Sequence, residues 1–364
     1  MYIIEWIPFN KLANIKYLAK GGFGTVFKAV WIDGYIININ SNLENEWIRR
    51  PQINVCLKSL DNSKDISREF LEEVKNQHEY GGDSAIRIYG VTKNPKDSNY
   101  MMVMEHAKQG SLRKLLDSKY NELDWASKIS SLYYIAEGLN TIHKANLVHK
   151  DFHSGNIVCQ KTFISNITDF GLCRPVSQDS NSKELFGVLP YIAPEVLYTN
   201  GKEYTQKSEI YSFGIIMSEI FTGYPPYYDI PHDHQLVLSI CQGYRPKIEC
   251  EVPQLLLDLM NKCLDAEPHN RPTAANLSEE LEQFYNDLKD EKAELYKQIK
   301  EIKNSKKNFS TYNQVNSARI NYQTHPQAIY TSRLLNFQGL PKPVNIGKNI
   351  ISQKFVPKIV LKVQ

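Results

Sequence analysis

The chain has 364 residues, of which 42% are hydrophobic and 23% are charged, a composition typical of a globular protein with a large buried core. The N-terminus lacks the basic and apolar segments of a secretion signal, and no apolar run approaches the roughly twenty residues of a membrane span. These features argue against a secreted or membrane-spanning chain, and we expect a cytoplasmic protein without excluding the nucleus.

Cysteine spacing and charge distribution lead to two further expectations. The six cysteines contain no Cys-x-x-Cys pair, which favours reduced thiols over disulfides or a zinc site. No Asp or Glu follows Glu301, whereas nine Lys and Arg residues lie beyond position 303. Because the formal net charge of the whole chain is +3, residues 1–303 carry about −6 and the C-terminal tail is basic.

The first hundred residues predict a small β-rich unit with a single helix. Runs rich in β-branched and aromatic residues predict strands over five stretches, 15–19, 26–32, 53–58, 86–91 and 100–105. The polar, asparagine-rich stretch 38–51 predicts a hairpin insertion between the second and third strands. Apolar residues at helical spacing predict a helix over 65–80, with Asp65 as a candidate N-cap.

From Ser111 onward the hydrophobic pattern is helical. It predicts helices over 125–143, 205–221, 233–241, 253–263 and 273–285, and a charged helix that continues through 277–303. The polar remainder lacks hydrophobic periodicity until Ile350, so we expect residues 304–364 to be disordered. We expect this tail to be a solvated linker rather than a site for nucleic acid, an anionic membrane or an acidic partner.

Four polar residues occur in the order and spacing that metal-assisted phosphoryl transfer requires. Asp151 and Asn156 lie five positions apart, Asp169 follows thirteen residues later, and Lys58 precedes them in a strand-like run. Phosphoryl transfer needs a carboxylate to orient the attacking hydroxyl and separate oxygen ligands for Mg²⁺. The stretch from His149 to Asn156, followed by Asp-Phe-Gly at 169–171, resembles the catalytic loop region of eukaryotic protein kinases.

The resemblance implies an α+β, bilobal protein kinase fold, with a small β-rich N-lobe containing one helix and a larger helical C-lobe. The expected segments are a lead-in at 1–11, the kinase domain at 12–286, a charged helical extension at 287–303 and the basic tail at 304–364. The kinase domain divides into the N-lobe at 12–105, a hinge at 105–110 and the C-lobe at 111–286.

The resemblance also implies roles for the polar residues. Asp151 would orient the substrate hydroxyl, while Asn156 and Asp169 would hold Mg²⁺. Lys58 would bind the α- and β-phosphates of ATP and pair with Glu73, or with Glu72 if the helix register slips by one residue. Phe170 would pack under the helix that bears Glu73, and His149 would be a structural residue beside Phe170.

A second set of residues is implied to contact ATP. The Glu105 carbonyl and the Ala107 amide would hold the adenine edge, Cys56 would touch the ring, and Met104 would be the bulky residue behind it. The glycine-rich loop between two strands would let backbone N–H groups approach the phosphates. The full set is Ala19, Lys20, Gly21, Gly22, Phe23, Gly24, Val26, Cys56, Lys58, Met104, Glu105, Ala107 and Val158.

Further positions are implied to support the site. Residues 187–195 resemble the loop on which the protein substrate docks, ending in Ala-Pro-Glu. Glu195 would form a buried ion pair with Arg271, and Glu209 would accept backbone N–H groups of the catalytic loop. Glu209 replaces the usual aspartate, and the extra methylene changes its reach.

Several departures from the kinase pattern leave an alternative open. Ala19 replaces the first glycine of the loop, His153 replaces the lysine of serine/threonine kinases, and Val188 replaces their threonine. Gln77 is polar where an apolar residue is usual, and Lys150 replaces an arginine, so we expect weak control by phosphorylation. The first four of these substitutions, together with Glu209, motivate a pseudokinase, a nucleotide-binding or scaffold module without turnover.

The four indispensable groups favour an active enzyme instead. Tyrosine-kinase signatures are missing from the catalytic loop, and the run 263–268 before Arg271 points to the tyrosine-kinase-like group, whose members mostly modify serine and threonine. The sequence therefore predicts a protein kinase that uses ATP and Mg²⁺ on a protein substrate. Serine and threonine are favoured, while tyrosine or dual specificity stays open.

Overall fold

The structure is a computed structural model. It describes residues 4–21, 24–40, 46–50, 52–60, 68–80, 85–162, 164–175, 184–307 and 322–345. None of the described helices is both long and apolar enough to cross a membrane. The chain forms a β-rich N-lobe and a helical C-lobe around separate hydrophobic clusters, as the sequence predicted.

The N-lobe consists of a twisted sheet, a hairpin and one helix. Its elements are β1 (Glu5–Trp6), β2 (Leu12–Lys20), β3 (Gly24–Trp31), β4 (Ile36–Asn40), β5 (Glu46–Arg49), β6 (Ile53–Leu60), α1 (Arg68–Tyr80), β7 (Ile88–Lys93) and β8 (Tyr100–Glu105). Six strands form one sheet in the order β1-β7-β8-β6-β3-β2. β4 and β5 pair separately, which confirms the predicted hairpin insertion. The candidate cap Asp65 lies outside the described residues.

The described part of the segment 1–11 packs into the N-lobe. Glu5 and Trp6 pair in parallel with Gly90 and Val91 of β7, and Ile7 is only 1% exposed. A two-residue strand has no detectable periodicity, so the sequence pattern could not reveal it. A Cβ at Gly90 would lie 2.1 Å from the Glu5 carbonyl oxygen, so glycine allows β1 to approach β7.

Replacement of Gly90 by alanine should therefore destabilise the N-lobe. The added methyl group must push β1 away from β7, and we expect the free energy of unfolding to fall by about 1–3 kcal/mol. Urea unfolding of Gly90→Ala would measure the loss. Gly21→Ala is the matched control, because a Cβ there would meet its nearest atom at 3.7 Å. Equal stability of the two variants would contradict this account.

The C-lobe is built around helices. They are α2 (Leu112–Lys119), α3 (Trp125–Lys144), α4 (Pro194–Tyr198), α5 (Gln206–Thr222), α6 (His234–Cys241), α7 (Gln254–Cys263) and α8 (Ala274–Asp287). Between them lie the short strands β9 (Leu147–Val148), β10 (Ile157–Lys161), β11 (Ile164–Ile167), β12 (Arg174–Pro175) and β13 (Leu185–Gly187). α5 is buried along almost its whole length and runs from a Thr205 capping box to a left-handed Gly223. This confirms the predicted central helix.

The predicted continuous helix over 277–303 is wrong. α8 ends at Asp287, and a new helix, α9 (Glu294–Lys307), starts after a turn at 288–293. In that turn the Asp290 carboxylate accepts a hydrogen bond from the backbone N–H of Lys292, a local bond that competes with helix continuation. α9 buries Leu295 and Ile299 against the C-lobe, so the apolar stripe reflects two packed helices.

The expectation that residues 304–364 are disordered is also wrong in part. Residues 304–307 belong to α9, and residues 322–345 pack on the C-lobe. The latter contain strand β14 (Arg333–Leu335), which pairs antiparallel with β13. Leu335 is 4% exposed within the main core cluster. Backbone hydrogen bonds and scattered aromatic contacts hold this segment. Neither requires regularly spaced apolar residues, so the sequence pattern could not reveal the packing.

Candidate active site

Lys58 lies between two carboxylates at the boundary of the lobes. Its Nζ is 2.6 Å from Glu73 Oε1 and 2.7 Å from Asp169 Oδ1. Glu73 comes from α1 and Asp169 from the C-lobe, so the lysine connects the two lobes. The alternative partner Glu72 is bound instead to Arg68 on the surface of α1.

The Lys58 ammonium and the Asp169 carboxylate stabilise each other's charge, whereas burial, with a smaller contribution from Asp169, raises the pKa of Glu73 above its ordinary value despite the nearby ammonium. Burial lowers the pKa of Lys58, but the carboxylates of Asp169 and Glu73 outweigh this effect and raise it above the ordinary value. Burial also raises the pKa of Asp169, and the Lys58 ammonium reverses this and lowers it. Because one ammonium faces two carboxylates, the cluster is one positive charge short of neutral when all three groups are ionised, which favours binding of a further cation.

A β-hairpin brings Asn156 and Asp169 together. β10 and β11 pair antiparallel from Ile157 opposite Ile167, so Asn156 and Thr168 flank the open end of the ladder. The backbone N–H of Thr168 donates to the carbonyl of Asn156 at 2.9 Å. Asp169 follows directly, with a left-handed backbone at φ 68°. Residues thirteen positions apart therefore meet through the pairing of two adjacent strands.

Asp151 is 5% exposed, and its two carboxylate oxygens have different surroundings. Oδ2 accepts a hydrogen bond from Asn156 Nδ2 at 3.1 Å and lies 3.5 Å from His153 Nε2. Oδ1 is buried and has no hydrogen-bond partner among the described residues. A buried carboxylate oxygen without a donor is costly, and this atom keeps its full capacity to accept a hydrogen bond.

The catalytic loop is held by Glu209 of α5. Glu209 Oε1 accepts the backbone N–H groups of His149 and Lys150 at 2.6 and 2.8 Å, and Oε2 lies 2.8 Å from His143 Nε2. The extra methylene relative to aspartate thus spans the gap to the loop and also reaches a histidine on α3. The loop backbone is strained at Lys150, where φ is 67°, and these bonds stabilise that conformation.

Two rings and a glycine complete the inner wall. Phe170 is fully buried and its ring centroid lies 5.3 Å from that of His149. His149 Nε2 faces the Thr168 carbonyl oxygen at 3.0 Å, while Nδ1 accepts from the Asp151 N–H. A Cβ at Gly171 would lie 3.1 Å from Glu73 Oε2, so the glycine allows α1 to approach this segment. His149 is therefore placed as a packing residue that joins the loop to residues 168–170.

The residues expected around adenine form a half-buried apolar group. Cys56, Ala107 and Val158 pack against the N-lobe cluster that contains Met104. Cys56 is opposite Met104 in the pairing of β6 with β8. Beyond β8 the hinge backbone bonds to β10, with Gln109 N–H donating to the Cys159 carbonyl at 3.0 Å, and this sets Val158 beside the hinge.

The described part of the glycine-rich loop consists of the end of β2, Gly21 and the start of β3. Ala19 pairs with Val26 and Lys20 with Thr25 in the strand register, and the Gly21 N–H donates to the Gly24 carbonyl at 2.8 Å. The register of β2 shifts between Tyr17 and Ala19, and the Ala19 backbone has no positive φ that would require glycine. Gly22 and Phe23 lie outside the described residues.

Sequence similarity identifies the family to which the chain belongs. The sequence model described as protein tyrosine and serine/threonine kinase matches residues 12–281. The chain belongs to this kinase family. The match covers about three quarters of the chain and includes every catalytic candidate.

Three relatives illustrate the range of similarity. A Dictyostelium discoideum protein named "Probable serine/threonine-protein kinase" is 31% identical over 297 residues, which cover 78% of this chain and 16% of the relative. The MDIS1-interacting receptor like kinase 2 of Arabidopsis thaliana is 29% identical over 280 residues, 72% of this chain and 25% of the relative. A tyrosine-protein kinase of Girardia tigrina is 28% identical over 281 residues, 74% of this chain and 52% of the relative. The chain thus matches only a part of each of these proteins.

Below the catalytic loop, the kinase domain carries the buried ion pair of Glu195 with Arg271. The two Arg271 Nη atoms donate to the two carboxylate oxygens at 2.7 and 2.8 Å, and Arg271 is 1% exposed. The guanidinium also donates to the carbonyls of Asp265 and Lys207. The pair fixes the end of the docking loop to the α7–α8 connection, a structural role.

A further buried network was not anticipated from the sequence. Glu219 of α5 is fully buried and binds Arg113 Nη1 at 2.7 Å, Ser154 Oγ at 2.9 Å and Tyr191 Oη at 2.7 Å. It thereby joins α2, the catalytic loop and the docking loop. One signal could have revealed it, since a glutamate inside an otherwise apolar helix requires a buried partner.

Shortening Glu209 to aspartate should destabilise the domain, although aspartate is the common family residue. In this chain the loop and His143 are spaced for a glutamate, so Glu209→Asp should lose at least one buried hydrogen bond. We expect a loss of about 1–3 kcal/mol in the free energy of unfolding. Chemical unfolding would measure it, with the exposed Glu203→Asp as a matched control; unchanged stability of Glu209→Asp would contradict the assignment.

Proposed function

We propose that this chain is an ATP-dependent protein kinase that transfers the γ-phosphoryl group to protein hydroxyls, with serine and threonine favoured. The observation that carries the proposal is Asp151 Oδ1, a buried oxygen without a donor among the described residues. It faces the docking loop, because a Cβ at Gly187 would lie 3.9 Å away. A substrate hydroxyl that reached this oxygen would be oriented by hydrogen bonding and would lose its proton there.

The residues around Asp151 fit a magnesium–nucleotide complex. Asn156 donates its Nδ2 hydrogens to the Asp151 carbonyl and carboxylate, which turns its amide oxygen away from Asp151. That oxygen and the Asp169 carboxylate are hard ligands of the kind Mg²⁺ prefers, and they would hold the ion. When bound, Mg²⁺ neutralises phosphate charge during transfer. Lys58, kept protonated by Glu73 and Asp169, would bind the α- and β-phosphates.

Nucleotide selectivity would come from the hinge and its apolar neighbours. The Glu105 carbonyl and Ala107 amide are the proposed partners of the adenine edge, between Cys56 and Val158. Burial raises the pKa of the Cys56 thiol to about 11, so it stays neutral and apolar against a base. Ala19 and Gly24, with the rest of the glycine-rich loop, would cover the phosphates.

Serine and threonine are favoured because several relatives, including the Dictyostelium protein above, are named as serine/threonine kinases. A tyrosine-protein kinase among the relatives keeps tyrosine within the family's range. His153 occupies the position next to the transfer site that a lysine fills in serine/threonine kinases. Its ring lies over Gly155, where a Cβ would come within 2.6 Å of the imidazole.

The alternative is a pseudokinase that binds nucleotide or scaffolds a partner without turnover. His153 and Val188 favour it, because each departs from a residue that serves transfer in serine/threonine kinases. The intact contacts of Lys58 with Glu73 and Asp169 favour the enzyme, since a scaffold does not require them. Both functions allow nucleotide binding, so only turnover separates them.

Asp151→Asn should abolish most transfer while leaving the fold and nucleotide binding intact. Asparagine keeps the size of the side chain but cannot take a proton, and we expect kcat to fall by about 10²–10⁴. The assay would combine Mg-ATP with a mixed Ser/Thr/Tyr peptide substrate and identify the phosphorylated residues by mass spectrometry. The acceptor residues would decide the specificity.

The control for this variant is thermal stabilisation by Mg-ATP, which should be equal in both proteins. Transfer by the wild type that persists in Asp151→Asn would refute the role of Asp151. No transfer by a wild-type protein that Mg-ATP stabilises would establish the scaffold alternative.

A further inference from the structure

The C-terminal segment 322–345 lies across the face on which a protein substrate would dock. Its strand β14 pairs antiparallel with β13, in the register Leu185 with Leu335, Phe186 with Leu334 and Gly187 with Arg333. β13 leads directly into the docking loop. Gly187 borders Asp151, so the tail pairs with the backbone next to the catalytic carboxylate.

The segment is anchored on both sides of this strand pair. Ahead of it, Tyr322 donates to Asp117 of α2 at 2.9 Å and packs edge-on against Tyr224 and Tyr228. Beyond it, Asn345 donates to the Asp265 carboxylate at 2.9 Å and accepts from the backbone N–H of Ala266 at 2.8 Å. The tail therefore follows one continuous path over the C-lobe.

The centre of this path is His232, in the α5–α6 connection. The His232 N–H donates to the Gln327 carbonyl at 3.0 Å, its carbonyl accepts from Arg333 Nη2 at 3.0 Å, and its Nδ1 accepts from the Ile329 N–H at 3.0 Å. Tyr330 packs edge-on against the imidazole, with ring centroids 4.9 Å apart, and donates to the Pro226 carbonyl. Several backbone bonds and the contact of half-buried Tyr330 with the buried His232 ring fix the tail in register, unlike a loose terminal segment.

The strand edge of β13 is suited to bind any extended chain. Edge strands present unpaired N–H and C=O groups, and extended peptides bind to them with main-chain bonds for affinity and alternate side chains for specificity. β14 shows this alternation, because Leu335 is 4% exposed while its neighbour Leu334 is 52% exposed. One edge accepts only one strand at a time.

We propose that residues 322–345 are an intramolecular occupant of the protein-substrate docking surface, and that they must leave the edge of β13 before an extended acceptor chain can bind. This inference rests on the proposed kinase function and adds a competitor built into the same chain. ATP binding and ATP hydrolysis by water need no acceptor peptide, so the tail restricts only the docking of protein substrates.

The test compares two identical substitutions in adjacent residues of the full chain. Leu335→Asp places a charge in the core and should release the strand, whereas Leu334→Asp changes an exposed side chain of the same strand and is the matched control. Hydrogen exchange at residues 185–187 should be faster in Leu335→Asp and unchanged in Leu334→Asp. The apparent KM for the mixed peptide substrate should fall at least about threefold in Leu335→Asp only.

Two further readouts separate release of the tail from a general structural effect. The KM for ATP and the rate of ATP hydrolysis should be equal in all variants. A synthetic peptide of residues 322–345 should inhibit Leu335→Asp in competition with the peptide substrate and not with ATP. If Leu335→Asp does not fold, the double variant Tyr330→Phe with Asn345→Ala replaces it, because it removes anchoring hydrogen bonds at two points of the tail. It is then compared with Leu334→Asp by the same measurements.

The outcomes are distinct. Faster exchange with an unchanged peptide KM would overturn the proposal, since acceptors would then use another surface. Unchanged exchange at 185–187 in both release variants would overturn it as well, because the tail would not be docked in solution. Absence of both ATP hydrolysis and peptide phosphorylation in every variant would refute the kinase function itself, and the competitor role with it.

Discussion

The contact of the Lys58 ammonium with Glu73 and Asp169 is the constraint on which the site depends. Both carboxylates lie within 2.7 Å of the Lys58 nitrogen, which is almost fully buried. Without this ammonium, each carboxylate would be an unpaired charge away from water, which is costly. Glu73 belongs to α1 and Asp169 to the C-lobe. The two ion pairs of Lys58 therefore also hold the two lobes together. The phosphates and the metal would be bound where this balance leaves excess negative charge.

Three buried glutamates extend the same principle through the C-lobe. Glu209 holds the catalytic loop, Glu219 joins that loop to the docking loop, and Glu195 ties the docking loop to Arg271. Each carboxylate is satisfied by donors from separate parts of the chain, so the loops that carry Asp151 and Asn156 have few alternative positions. The positioning needed for phosphoryl transfer thus follows from the cost of burying unpaired charge.

The tail covers part of the surface next to the site, where its strand β14 pairs with β13. Residues 322–345 are held mainly by backbone hydrogen bonds and tyrosine contacts, with few apolar side chains in the core. Such contacts add less stability than core packing, so this segment is suited to exchange with another extended chain. Within the described residues 322–345 only Leu335 is buried, so displacement of this segment should uncover little of the C-lobe core.

The sequence by itself determined the family and the two lobes, and it predicted the candidate site residues. Lys58, Asp151, Asn156 and Asp169 occupy fixed positions along the chain, and the helical and strand periods around them follow from which side chains are buried. The tertiary structure decided three other features: the parallel pairing of Glu5–Trp6 with β7, the turn that separates α8 from α9, and the docking of 322–345 on β13. The first and the third depend on backbone pairing between distant residues, such as Gly90 with Glu5, and the turn contains one local hydrogen bond, from the Lys292 N–H to Asp290. Hydrophobic periodicity in a sequence shows which face of a long helix or strand is buried. It gives no signal for a two-residue strand whose partner lies more than eighty residues away.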